Sequence, residues 1–149
     1  MIESVTKRSA DILMVEDNPG DAMLVEECLK NSRTRCRVHV MEDGVEAMAF
    51  LHREGKYADV PRPDLIFLDL HVPRKDGREV LQEIKNDDAL KAIPVIVFTS
   101  STAEEDLTDV YDLRANCCVI KPTMLDQLQE LLQAIEAFWF ETVRLPSPK

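Results

Sequence analysis

The chain has 149 residues, enough for one domain with a substantial core, since chains of this size bury roughly 70% of their unfolded surface. Its 28 Asp and Glu against 18 Lys and Arg give a net charge of −10, which argues against a nucleic-acid backbone or an anionic membrane as direct partner. No stretch approaches the roughly eighteen consecutive apolar residues of a membrane span, and the N-terminus lacks the apolar centre of a signal peptide, so the expected location is the cytoplasm.

Residues 1–10 are polar and unpatterned and are expected to form a flexible lead-in, with one domain over 11–149. Ile12-Leu13-Met14-Val15 is a short apolar run of the kind buried in a sheet, and it ends in Glu16-Asp17. Asn18-Pro19 then supplies an N-cap with proline at the first helical position, and Ala22, Val25, Cys28 and Leu29 repeat at helical spacing over about 19–31. Val38-His39-Val40 alternates as a strand, with His39 an ordinary strand residue. Asp43-Gly44 opens a second helix through Ala47, Phe50 and Leu51. Residues 53–64, with Gly55, Pro61 and Pro63, read as a surface connection.

Leu65-Ile66-Phe67-Leu68-Asp69 is a second buried run, ending in a carboxylate and followed by loop signals at Val72-Pro73 and Asp76-Gly77. Val80, Leu81 and Ile84 give a third helix that stops near Asn86, and Pro94 precedes the strand Val95-Ile96-Val97-Phe98, which ends in Thr99. Thr102 with Glu105 has capping-box spacing and opens a fourth helix carrying Leu107, Val110, Tyr111 and Leu113. Cys117-Cys118-Val119-Ile120 is the fifth strand and ends in Lys121-Pro122, a bond open to either isomer. The last helix, about 125–142, has an apolar stripe of Leu128, Leu132, Ile135 and Trp139, widened by Leu131, Phe138 and Val143. A stripe that wide fits either a thick core helix or a helix with a partner.

These strands deliver two acids, one acid, a hydroxyl and a lysine to what is one edge of a parallel sheet, where open α/β proteins bind ligands. Asp69 alone is as compatible with a turn as with chemistry; the recurrence favours chemistry. Carboxylates held together do not all ionise cheaply without a cation, and a hard, oxygen-seeking ion such as Mg²⁺ is the natural match. Cys28, Cys36, Cys117 and Cys118 contain no Cys-x-x-Cys pair and read as reduced apolar residues.

The ordered set of Glu16-Asp17, Asp69, Thr99 and Lys121-Pro122 resembles the receiver domain of two-component response regulators over nearly the whole chain. The resemblance implies a doubly wound, flavodoxin-like α/β fold: a five-stranded parallel sheet of order 2-1-3-4-5 with helices on both faces. It implies that Asp69 is the phosphoacceptor, that Mg²⁺ is held by Glu16, Asp17, Asp69 and the backbone carbonyl of His71, and that Thr99 and Lys121 bind the phosphoryl group. Glu16 departs from the commoner Asp. His71 and Ser101 fall where the family tunes phosphate lifetime, although His71 is equally an ordinary loop residue. Cys118 occupies the place of the family's aromatic switch, so that half of the usual switch is absent.

The implied donor is a histidine kinase, and the implied activity is that of a phosphoacceptor signalling protein with intrinsic phosphotransfer and slow autodephosphorylation, not a turnover enzyme. Only 28 residues follow Lys121, so a stand-alone receiver with no attached output domain is expected. The ending around Phe138-Trp139-Phe140 resembles single-domain regulators that partner bacterial and cyanobacterial phytochromes. That likeness implies a phytochrome-type kinase and a homodimer through the last helix, the fourth helix and the fifth strand, with Tyr111, Phe138, Trp139 and Phe140 as contact candidates. Two other classes fit less well. A hydrolase of the haloacid-dehalogenase type needs a second Asp where this chain has His71, and with four glycines no phosphate-binding Gly-rich loop can be written. A degenerate receiver acting as a docking or dimerisation module remains the alternative.

Overall fold

The apolar runs pair side by side in the computed structural model, which describes residues 9–30, 32, 34–100 and 103–146. The strands are β1 (Ser9–Val15), β2 (Arg35–Met41), β3 (Leu65–Asp69), β4 (Val95–Thr99) and β5 (Cys117–Ile120). They form one parallel sheet of order β2-β1-β3-β4-β5. The helices are α1 (Pro19–Lys30), α2 (Gly44–Leu51), α3 (Gly77–Lys85), α4 (Glu104–Asp112) and α5 (Leu125–Glu136), one after each strand. The doubly wound order expected from the sequence is the one observed.

Alternate residues of each strand feed two cores, as the two-residue period of a strand requires. Leu13, Val15, Ile66, Leu68 and Val97 pack under α2, α3 and α4. Ile12, Met14, Phe67, Ile96 and Phe98 pack under α1 and α5. Both faces of β3 and β4 are covered, which is why those strands are continuous apolar runs. The chain order reverses between β1 and β3, so the C-terminal ends of those two strands flank a crevice.

Helix starts follow the cap chemistry in the sequence. Asn18 Oδ1 accepts hydrogen bonds from the N–H groups of Gly20 and Asp21, at 2.9 and 3.1 Å, and so opens α1. Asp43 Oδ1 accepts from Glu46 N–H at 2.7 Å, and its other oxygen takes Arg74 at 3.1 Å. Asp43→Ala is therefore expected to lower unfolding free energy by about 1–2 kcal/mol in urea titration. At α4 the cap position belongs to Ala103, which makes no side-chain cap hydrogen bond; the expected cap, Thr102, lies outside the described residues.

Three expectations need correcting. The first strand begins at Ser9, inside the supposed lead-in, because Ser9 and Ala10 pair with Arg35 and Cys36 and Ala10 is fully buried. The 53–64 connection is not wholly surface: Asp64 is buried, and its carboxylate accepts the Asp11 N–H at 2.9 Å. The last helix changes pitch, with α5 giving way to a π-helical segment, Ala137–Thr142. In that segment Val143 N–H reaches back to Phe138 O at 2.9 Å, and the wider turn swings Phe140 into the core at 2% exposure. Phe140 is thus unavailable as a dimer contact, whereas Phe138 is half exposed and stacks edge-on against Trp139.

Candidate functional site

Backbone pairing fixes the site before any side chain is considered. Glu16, just past β1, donates its N–H to Met41 O at 2.9 Å, and Lys121, just past β5, donates its N–H to Thr99 O at 2.8 Å. Asp69 is the last residue of β3. Strand ends on one edge therefore carry Glu16, Asp69, Thr99 and Lys121 into the crevice, and all four are largely buried.

Lys121 is the hub. Its Nζ donates to Asp69 Oδ2 at 2.8 Å and to Glu16 Oε1 in a very short contact, and lies 3.4 Å from Asp21 Oδ2. The other Asp69 oxygen accepts the His71 N–H at 3.0 Å, which orients the carboxylate and turns the chain away from the strand. Glu16 Oε2 accepts the Asn18 N–H at 3.2 Å, so the longer Glu side chain is anchored to the start of α1.

Burial penalises charge on Glu16 and lifts its carboxyl to about 7, against the pull of Lys121. Burial also acts on Asp69, but the hydrogen bonds from Lys121 and from the His71 N–H outweigh it and hold Asp69 below the usual carboxylate range. For Lys121 burial acts downward, and its hydrogen bonds to Asp69 and Glu16 reverse that, holding the ammonium firmly charged.

Between the ordinary Glu value of 4.5 and about 7, the folded chain binds a proton at Glu16 that the unfolded chain has released. Stability without metal therefore falls as pH rises through that window. The Asp69 contribution is already complete above its ordinary value of 3.8 and does not oppose the trend. Thermal melts in EDTA are expected to show a higher midpoint at about pH 5.5 than at about pH 8, and Glu16→Gln is expected to flatten the difference.

Oxygens of Glu16, Asp17 and Asp69 lie within 4.8 Å of one another. An all-oxygen donor set suits a hard cation, and the single charge of Lys121 does not balance Glu16, Asp17, Asp69 and the nearby Asp21. Glu16, Asp17 and Asp69 form a cluster of the kind that can hold a divalent cation. Asp21 is the acid that sequence reasoning missed. It lies three residues after the Asn18 cap, so the first turn of α1 brings it beside the strand ends. A cavity of about 500 Å³ opens next to this cluster, with Met14, Val25, Phe98 and Leu128 among its lining and Glu16 and Lys121 at its polar end.

The remaining predicted residues fall around this centre. Ser101 lies outside the described residues. Cys118 is partly buried against the α2-α3-α4 core, and its backbone N–H is taken at 3.2 Å by the hydroxyl of Tyr111 from α4. Tyr111 itself is half exposed. The Lys121–Pro122 bond is trans; no described peptide bond is cis.

The sequence profile described as "Response regulator receiver domain" matches residues 12–133. Response regulator Rcp1 of the cyanobacterium Synechocystis is 49% identical over 136 residues, covering 91% of this chain and 92% of Rcp1. The crystal structure of the phosphorylated cyanobacterial phytochrome response regulator RcpA superimposes with a TM-score of 0.90 at 50% identity, covering 93% of this chain and 99% of that one. The Mn²⁺-bound form of Rcp1 superimposes at 0.88 with 48% identity and the same coverage.

Proposed function

The chain belongs to the response regulator receiver domain family, and from that membership we propose that it accepts a phosphoryl group on Asp69 from the phosphohistidine of a partner histidine kinase. The observation that carries the proposal is the convergence of Lys121 on Asp69 and Glu16 beside an acidic metal triad.

Asp69 attacks phosphorus in line. An O–P bond forms as the P–N bond to the donor imidazole breaks, the electron pair stays on the ring nitrogen, and that nitrogen takes up a proton. Glu16, Asp17, Asp69 and the His71 carbonyl would hold Mg²⁺, which supplies positive charge to the phosphoryl oxygens. The Lys121 ammonium stands ready for another phosphoryl oxygen, and the Thr99 hydroxyl for a third. His71 N–H keeps the nucleophile aimed, and hydrolysis of the aspartyl phosphate ends the signal, at a rate that the residues at the family's lifetime-tuning positions, His71 and Ser101, would set.

Likeness to RcpA over nine-tenths of the chain supports a phytochrome-type kinase as donor. The test is phosphotransfer from such a kinase, autophosphorylated with labelled ATP. Label is expected to pass to the wild type and to be absent from Asp69→Asn. Label retained by the kinase in both cases would count against this donor.

A homodimer through the last helix is supported by the half-exposed Phe138 and its edge-on partner Trp139. The contact would continue through the fourth helix and the fifth strand, where Tyr111 and Ile120 are exposed. Sedimentation of wild type and Phe138→Ser, with and without phosphorylation, tests it: a mass unchanged by the substitution in both states would sink the contact. With Cys118 in place of an aromatic, the route from Thr99 to α4 runs through the β4-α4 junction. There Arg78 at the start of α3 pairs with Asp106 and, at 3.6 Å, Asp109.

A further inference from the structure

The core under α1 and α5 does not close completely at the strand ends. The cavity of about 500 Å³ there is lined by Met14 of β1, Phe98 of β4, Val25 of α1 and Leu128 of α5, all members of that core or packed against it. Met14, Val25 and Phe98 are at most 4% exposed, so much of the lining is core surface. Packed interiors ordinarily close such spaces, because lining atoms without neighbours forfeit dispersion contacts. A mostly apolar concavity of this volume with a few convergent polar groups has the dimensions of a small-molecule site.

The polar end of the cavity fixes the charge of what fits it. Glu16, Asp21 and Lys121 line that end. The Lys121 ammonium is divided between Asp69 Oδ2, at 2.8 Å, and Glu16, and it meets Asp21 Oδ2 only at 3.4 Å. Asp21 is therefore the least satisfied of these acids, and its side chain is 45% exposed. An anionic head would confront carboxylates, whereas a cationic head complements them.

We propose that this cavity binds a small-molecule amine with an aryl or branched aliphatic body, the body against Met14, Val25, Phe98 and Leu128 and the ammonium on the Asp21 carboxylate. Burial of the body supplies the driving force, and the charge-assisted hydrogen bond to Asp21 sets orientation and selectivity. The site is electrically joined to the acidic cluster of Glu16, Asp17 and Asp69. A bound monocation repels a divalent one there, so the amine and Mg²⁺ weaken each other's binding by the same factor.

The test uses the full-length, unphosphorylated chain, so its outcome stands apart from whether Asp69 accepts a phosphoryl group. An ¹⁵N-labelled sample in EDTA is titrated with phenylbutylamine, with phenylbutyrate, which has the same body and an anionic head, and with butylamine, which has the head without the ring. The expected result is shifts from phenylbutylamine centred on Met14, Asp21, Val25, Phe98 and Leu128, with both other probes weaker by about tenfold or more. Asp21→Asn is expected to weaken phenylbutylamine by about tenfold, and Asp59→Asn, at an exposed acid elsewhere, by less than about twofold. Val25→Met, which fills the cavity and is checked for an unchanged folded spectrum, is expected to weaken it comparably to Asp21→Asn. Saturating Mg²⁺, whose own affinity is read by calorimetry, is expected to weaken the amine by roughly fivefold or more. Equal binding of phenylbutylamine and phenylbutyrate, shifts centred on other faces, or an affinity unchanged by both Asp21→Asn and Val25→Met would overturn the site. An amine affinity unchanged by bound Mg²⁺ would overturn its coupling to the acidic cluster.

Discussion

Lys121→Met is expected to slow phosphorylation of Asp69 by acetyl phosphate by about 10²- to 10³-fold while leaving Mg²⁺ affinity equal or tighter. The two effects separate because Lys121 has two relations to the carboxylates. In the transition state its ammonium stabilises charge developing on the transferring group, an interaction of several kcal/mol in a water-poor site. In the resting protein it is a cation already seated on Asp69 Oδ2, at 2.8 Å, and on Glu16. Met retains much of the side-chain volume and removes that competitor, so the oxygens it held become available to a metal. Rate by intact mass against time and affinity by calorimetry read the two effects independently. Parallel loss of both would mean that Lys121 organises the pocket and does not act on the phosphoryl group.

Gly77→Ala is expected to destabilise the fold by about 3 kcal/mol and to abolish phosphorylation at ordinary temperature. A Cβ at residue 77 would stand 2.4 Å from the Asp69 carbonyl oxygen and 2.5 Å from Leu70 Cα. Both are backbone atoms, so no flexible side chain can yield. Gly77 N–H also donates to Leu70 O at 2.9 Å, tying the start of α3 to the segment carrying the nucleophile. Relief of the clash therefore displaces Asp69 from Lys121. Gly44 is comparably tight, with its Cβ position 2.0 Å from the Lys75 carbonyl, and Gly44→Ala is expected to behave similarly. Urea midpoints measure the stability loss. A Gly77→Ala protein with wild-type stability and wild-type phosphorylation would mean that the β3-α3 junction is not rigid.

The strand ends were legible because each strand is a short apolar run closed by a polar residue, and parallel order places those ends together. Asp69, Glu16 and Lys121 are recoverable on that basis alone, and the crevice follows from the reversal of order between β1 and β3. Asp21 was hidden because a first-turn acid is ordinarily read as a dipole partner for its helix; its approach to Lys121 depends on how α1 sits over the sheet. Ser9 and Ala10 carry no apolar periodicity, yet pairing with β2 extends the strand through them. Phe140 counts as a contact candidate only from the aromatic ending; it is buried where Ala137–Thr142 winds as a π-helix, a pitch that the sequence does not signal. The exposed apolar residues of α4 looked like a core stripe in sequence, but only Val110 is buried; Leu107 and Tyr111 face outward.

The most direct test of the central claim is the intact mass of wild type and Asp69→Asn after incubation with acetyl phosphate, in Mg²⁺ or in EDTA. The account predicts one added phosphoryl group on the wild type in Mg²⁺ and none in the other three samples. A folded wild type that gains no phosphoryl group from acetyl phosphate or from a phytochrome-type kinase, or one that gains it equally in EDTA or without Asp69, would contradict it.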